Sequence, residues 1–197
     1  ARNPISSVGA LTLGRSIANN PRLEYLNISG CLIESKGFND FCEEMQKNVV
    51  IKSIIASFNP ILDEGLESLI ELLKVHPTIQ ELDLEKTDLT DAGAIPLFQV
   101  IPECKTLQKL SFRSNIISDG LTIQKILVQS PHIRECDLNY NDISYKLNRE
   151  ISKVIALNNK IEKEKRHELL IQKAKTNPQM TQELKNARSD IIEEKQM

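Results

Sequence analysis

"LDLEKTDLTDAG" occupies Leu82 to Gly93, and twenty-eight residues earlier "IIASFNPILDEG" occupies Ile54 to Gly65. Both stretches place apolar residues at the first, third and eighth positions and glycine at the twelfth. Matching offsets at a fixed separation are the mark of an internal repeat, which has to be recognised before any single element is assigned.

Working outward, the same pattern begins five times, as "LEYLNISGCLI" at Leu23, "IKSIIASFNPI" at Ile51, "IQELDLEKTDL" at Ile79, "LQKLSFRSNII" at Leu107 and "IRECDLNYNDI" at Ile133. The starts are separated by 28, 28, 28 and 26 residues. "NPI" at Asn3 to Ile5 recurs at Asn59 to Ile61 and reads as the end of a sixth, truncated copy. That truncation and the opening Ala1 suggest a fragment of a longer chain.

One polar position runs through all copies as Asn3, Cys31, Asn59, Thr87, Asn115 and Asn141. Side chains of this kind can bond to backbone groups left unpaired where the chain turns off a strand. Gly9, Gly37, Gly65 and Gly93 follow at a fixed offset, with Gly120 one residue early; glycine there suits a tight turn into a helix. Apolar pairs spaced by four come next: Leu13/Ile17, Phe41/Met45, Leu69/Leu73, Leu97/Ile101, Ile123/Leu127 and Ile151/Ile155. That spacing puts both members on one helix face. Pro21, Pro77 and Pro131 then stop the helix two residues before the next copy begins.

Each copy is therefore a short strand, a turn, a helix and a return, and neither element can bury its apolar side alone. Stacking solves this, giving an α/β solenoid with a parallel sheet on one side and helices on the other. The pattern resembles the leucine-rich repeat, and the 28-residue unit with a full helix resembles the ribonuclease inhibitor-like subfamily. The resemblance covers roughly residues 1–158 and implies a right-handed βα horseshoe that binds proteins on its concave sheet face and rims, without catalysis. A doubly wound sheet is the alternative, but no glycine-rich phosphate loop follows any strand.

Residues 159–197 form a separate helical tail or cap. "KIEKEKRHELLIQKAK" reads as a charged helix, and Asn177 and Pro178 as the cap and first residue of another. Met180, Leu184, Ala187 and Ile191 make an amphipathic stripe. Such helices either cover the open end of the solenoid or dock on a partner, and both readings stay open.

The 197 residues carry a net charge of −2, divided unevenly. Residues 1–145 hold 13 Lys/Arg against 19 Asp/Glu, and the remainder holds 12 against 8. An acidic body argues against nucleic acid as its partner. No apolar run reaches the length of a membrane span. Cys31, Cys42, Cys104 and Cys136 show no zinc spacing, and they read as reduced, structural thiols of a cytoplasmic protein. No metal or other cofactor is implied.

Strand residues between the apolar positions form three rows on the concave face: Tyr25, Ser53, Glu81, Lys109 and Glu135; Asn27, Ile55, Asp83, Ser111 and Asp137; and Ser29, Ser57, Glu85, Arg113 and Asn139. Glu81–Lys109–Glu135 and Glu85–Arg113 can pair laterally, either as internal surface ion pairs or as a charged binding face. Asp83 and Asp137 lack a basic neighbour in their row and are the better binding candidates. Ile55, and Phe58 and Tyr140 at one shared rim position, are candidate apolar anchors. His76 and His132 read as residues of the return loop. No histidine joins the carboxylates of these rows, so neither a metal site nor a catalytic triad is assembled.

These readings favour a non-catalytic interaction scaffold within a larger multi-protein intracellular assembly. Family analogy adds the cytoskeleton and the cilium as settings. The alternatives are a GTPase-activating regulator resembling the Ran GTPase-activating protein, and the ligand-sensing segment of a larger receptor.

Overall fold

The computed structural model describes residues 1–176. Six helices and five strands alternate along the chain: α1 Ser6–Ile17, β1 Tyr25–Asn27, α2 Ser35–Met45, β2 Ser53–Ile55, α3 Glu67–Val75, β3 Glu81–Asp83, α4 Asp91–Val100, β4 Lys109–Ser111, α5 Gly120–Val128, β5 Glu135–Asp137 and α6 Tyr145–Thr176. Short 3-10 turns at Asp63–Leu66 and Ile101–Glu103 flank α3 and α4.

The strands form one sheet in chain order, every neighbouring pair parallel. Leu26, Ile54, Leu82, Leu110 and Cys136 occupy one register across it. Their inward direction and the four-residue spacing on each helix converge on a single core. Phe38, Phe41, Phe98 and Phe112 are among its largest fully buried side chains. Phe98 and Phe112 pack ring against ring, centroids 4.9 Å apart. All four cysteines are free thiols, and Cys42 and Cys104 are buried along with Cys31.

The polar ladder does what its chemistry requires. Asn59 Oδ1 accepts from the Cys31 and Ile33 N–H groups at 2.9 and 3.1 Å, and Asn59 Nδ2 donates to the Ile28 and Ala56 carbonyls at 2.9 and 2.8 Å. Asn115 repeats this arrangement for Thr87, Leu89, Leu84 and Phe112. One amide thus ties two rungs together and satisfies backbone groups that the turn would leave unpaired.

The helix glycines have a different reason from the turn expected of them, because none of them has a positive φ. A Cβ at Gly37 would lie 2.4 Å from Ser7 Cα, and one at Gly93 would lie 2.9 Å from Asp63 Cα. Glycine at Gly37, Gly65 and Gly93 lets the chain press against the backbone of the preceding rung.

The final helix also differs from its expected boundary. α6 runs through residue 158 without a break, joining the last repeat helix to the charged segment. Its early part seals the end of the solenoid. Asn158 Nδ2 donates to the Ser130 and Ile133 carbonyls, Asn159 Nδ2 to the Arg134 carbonyl, and Glu162 pairs with Arg134 at 2.9 Å. The stripe of Met180, Leu184, Ala187 and Ile191, and the cap at Asn177 and Pro178, lie outside the described residues. Among the described residues no helix is long and apolar enough to cross a membrane.

Candidate interaction surface

The first two concave rows run in register across the sheet, since each strand turns its first and third residues to the same face, and backbone bonds just past the strands carry Ser57, Glu85, Arg113 and Asn139 alongside. Their rims are set by a less ordinary feature. The residue before each ladder position has a left-handed φ: Arg2, Gly30, Phe58, Lys86, Ser114 and Tyr140. This conformation suits glycine and disfavours bulky side chains. Only one copy supplies glycine there, whereas Phe58 and Tyr140 are held in it and remain exposed.

At the C-terminal half of the face, a groove of about 390 Å³ is lined by Glu81, Asp83, Lys109, Arg134, Glu135 and Asp137, among others. Lys109 Nζ lies 3.0 Å from Glu135. The bonded Glu135 carboxylate, with Glu81 adding to the field, holds the Lys109 ammonium above its usual pKa. Glu81 makes no ion pair with Lys109; it accepts from Ser53 Oγ at 2.7 Å, because Ser53 is its register partner on β2.

Arg113 is the hub of the face. Its guanidinium lies 3.5 Å from Glu85 and 3.5 Å from Asp137, and 4.2 Å from the Tyr140 ring centroid. Asp137 therefore does have a basic partner, contrary to its row. The long Arg113 side chain reaches diagonally where a row-by-row reading looks only sideways. Asp83 makes no ion pair among the described residues; its carboxylate accepts from the Glu85 N–H. These partly exposed pairs contribute about 0–1 kcal/mol each, so they set the pattern of charge more than the stability.

Ile55 departs from its expected role as a wet apolar anchor. It is only 9% exposed, and Ser53 and Ser57 beside it are buried as well. Tyr25, Phe58 and Tyr140 are the exposed ring residues of the face and its rim, Tyr140 at 72%. Asn27 and Asn139 are exposed on the flanking rungs.

His76 lies in the return loop as expected, but it is buried there. It is 7% exposed, and it belongs to a second ladder that the return to the sheet requires. Asn20, Asn48, His76, Cys104, Ser130 and Asn158 repeat at the same period. Asn48 Oδ1 accepts from the Val50 and Ile51 N–H groups while its Nδ2 donates to the Ile17 carbonyl. Cys104 Sγ lies 3.3 and 3.2 Å from the Leu73 and Val100 carbonyls, to either of which its one S–H can donate, and burial with the neighbouring Glu103 pushes its pKa up to about 11. The period alone would have found this ladder, but its residue types are so mixed that no single motif marks it.

A third ladder ties the helix starts. Ser7 Oγ accepts from Glu34 N–H, Asp63 from the N–H and hydroxyl of Thr90, and Asp91 from the Ser118 hydroxyl and the Ser118 and Asp119 N–H groups. Burial opposes the charge on Asp91, yet these donors hold its carboxyl below the usual range. Among the described residues no group of three His, Cys, Asp or Glu side chains is placed to hold a metal ion.

Comparison with known proteins agrees with this geometry. Residues 22–43 and 75–98 match the Leucine Rich Repeat family. Over 110 residues, 55% of this chain, the sequence is 33% identical to human NACHT, LRR and PYD domains-containing protein 13, of which it covers 10%. It is 28% identical to mouse ribonuclease inhibitor over 140 residues, covering 70% of this chain and 30% of that protein. The chain thus spans a minor part of the relatives it matches. The solved leiomodin-1 actin-binding site 2 superposes with a TM-score of 0.71 at 20% identity, covering 83% of this chain and 95% of that one. The repeat period, the stacked register and these matches together show a leucine-rich repeat solenoid, similar in sequence to ribonuclease inhibitor.

Proposed function

We propose that the chain is a non-catalytic protein-interaction module that works through the C-terminal half of its concave face and the adjoining rim. One observation carries this reading. The groove is lined by Asp83, which makes no ion pair among the described residues, and by Asp137, whose partner Arg113 also covers one side of the exposed Tyr140 ring at the rim. Exposed aromatic and arginine side chains beside a charged groove are the usual anchors of a protein interface. The acidic groove favours a partner that brings a basic group to Asp83.

The test is a cross-linking pull-down from the native source with wild type, Asp83→Lys and Tyr140→Ala. Loss of the same partner in both variants supports the reading; unchanged capture places the interface elsewhere. The superposed leiomodin-1 domain is an actin-binding site of that protein, which makes a cytoskeletal assembly the first setting to try. Co-sedimentation with actin filaments is the direct arm of that experiment.

A second reading is favoured by the relatives whose names join NACHT and PYD domains to leucine-rich repeats. In it the chain is the sensing segment of a larger receptor. A nucleotide-binding domain in the same full-length transcript supports it; a transcript without one excludes it.

A further inference from the structure

We infer that the rim of the first rungs is a second docking surface, separate from the concave groove, and that its occupant is an amphipathic helix of a partner protein with oppositely charged edges. Leu32, Phe58, Pro60 and Leu62 stand on two neighbouring rungs and are all exposed, three of them at 63%, 50% and 41% for Leu32, Phe58 and Leu62. Exposed apolar residues this close together are more than a scattered surface background.

Backbone conformation adds an independent reason. Leu32, Phe58 and Leu62 have φ of 57°, 58° and 56°. The same offsets hold Gly30 in place of Phe58 and Asp88 in place of Leu32 on other rungs, also at positive φ. The fold accepts residues that suit this conformation there, yet here it carries bulky apolar ones. Each costs conformational energy and exposes apolar surface, a combination that folding alone does not favour.

The border of the patch selects the occupant. On the row nearest the sheet it is flanked by Arg2 and Lys86, the latter 6.0 Å from the Phe58 ring centroid. Nearer the helices it is flanked by Asp88, in the row of Leu32 and Pro60, and by Glu34, in the row of Leu62. None of these four makes an ion pair among the described residues. A matching partner therefore brings carboxylates along one edge of an apolar ridge and ammonium or guanidinium groups along the other.

An added strand is disfavoured, because the N–H groups of Gly30, Phe58 and Leu62 are already donated to Ser57, Glu85 and Thr87. A helix suits the spacing: one ridge side chain per turn of about 5.4 Å meets rungs about 4.8 Å apart.

The experiment uses three fluorescein-labelled synthetic helices of about 18 residues with one shared Leu/Phe ridge. Their edges are Glu/Lys, Glu/Glu and Lys/Lys, and binding to the full chain is read by fluorescence anisotropy. The Glu/Lys helix is expected to bind at least about tenfold more tightly than the other two. Phe58→Gly and Leu32→Asn are expected to weaken it about tenfold, with thermal stability kept or raised as the left-handed positions are relieved. Asp83→Lys leaves this binding unchanged, which separates the rim from the concave groove. Equal binding of the three helices, no binding of any, or undiminished binding to stable Phe58→Gly and Leu32→Asn overturns the inference.

Discussion

His76 stands 28 residues after Asn48 and takes its place in the return ladder with poorer means. Asn48 Oδ1 accepts two N–H groups, whereas His76 Nδ1 accepts one, from Thr78 at 3.4 Å, and its Nε2 has no hydrogen-bond partner of good geometry among the described residues. Burial lowers the His76 pKa, with the Asn48 backbone only partly opposing it; His132 is lowered by burial too. The folded state thus holds these rings neutral, and below the ordinary value of 6.5 the unfolded chain binds more protons. Stability is fully present above that value and is lost as pH falls toward the depressed folded values. Chemical denaturation between about pH 7 and pH 5 is expected to show this loss. His76→Asn should reduce it and raise stability at neutral pH, because asparagine there can accept from both Thr78 and Ile79. A steeper loss in His76→Asn contradicts the ladder.

Asn59 and Asn115 each bridge two rungs through at least four buried bonds, so truncating either orphans backbone groups that water cannot reach. Asn59→Ala is expected to cost about 2–4 kcal/mol, since two N–H donors and two carbonyls lose their partner at once. Asn59→Asp keeps the acceptor but removes the donor and buries a charge, so it should be at least as damaging. Urea midpoints of the two variants against wild type decide the matter. A shift within the noise for Asn59→Ala would mean that the turn is held by packing alone.

Close approach, rather than turn geometry, sets the requirement at the helix glycines. A methyl group at Gly37 meets the Ser7 backbone and has nowhere to go. Gly37→Ala is expected to destabilise by about 1–3 kcal/mol, the usual cost of overpacking. Alanine normally favours an unobstructed helix over glycine, so the sign alone tells whether the close approach matters. Thermal melting of Gly37→Ala above wild type would mean that the Ser7 backbone gives way and sets no requirement.

The contrast between those predictions shows what the chain discloses before it is folded. Period and apolar spacing fix the rungs, because a solenoid core admits few residue types at each offset. Hence Leu26, Ile54, Leu82 and Leu110 can be placed in register from the letters alone. The return ladder is equally periodic yet hidden, because amide, imidazole, thiol and hydroxyl all serve there. Lateral charge pairs are legible where partners share a row, as for Lys109 and Glu135, and Arg113 with Glu85. The Arg113–Asp137 pair is not, since the reach of a long side chain depends on rotamer and twist. Burial of Ile55 depends on its surroundings in the folded chain, and no motif records that.

The boundary near residue 158 bears on the last prediction. The bonds from Asn158, Asn159 and Glu162 to Ser130, Ile133 and Arg134 cover the final rung with the same helix that completes it. Ile151 is buried in the common core, while most of the helix beyond Glu162 is exposed through Gln172. A chain ending after Glu162 should therefore melt cooperatively and within about 1 kcal/mol of the full chain, as surface changes usually do. A chain ending after Ser144 uncovers Ile123, Leu127 and Ile133 together and should lose several kcal/mol, with an early transition from the terminal rungs. Circular dichroism melts of the two truncations distinguish the cases. If removing residues beyond Glu162 costs as much as removing the whole of α6, the distal helix shares in holding the solenoid together.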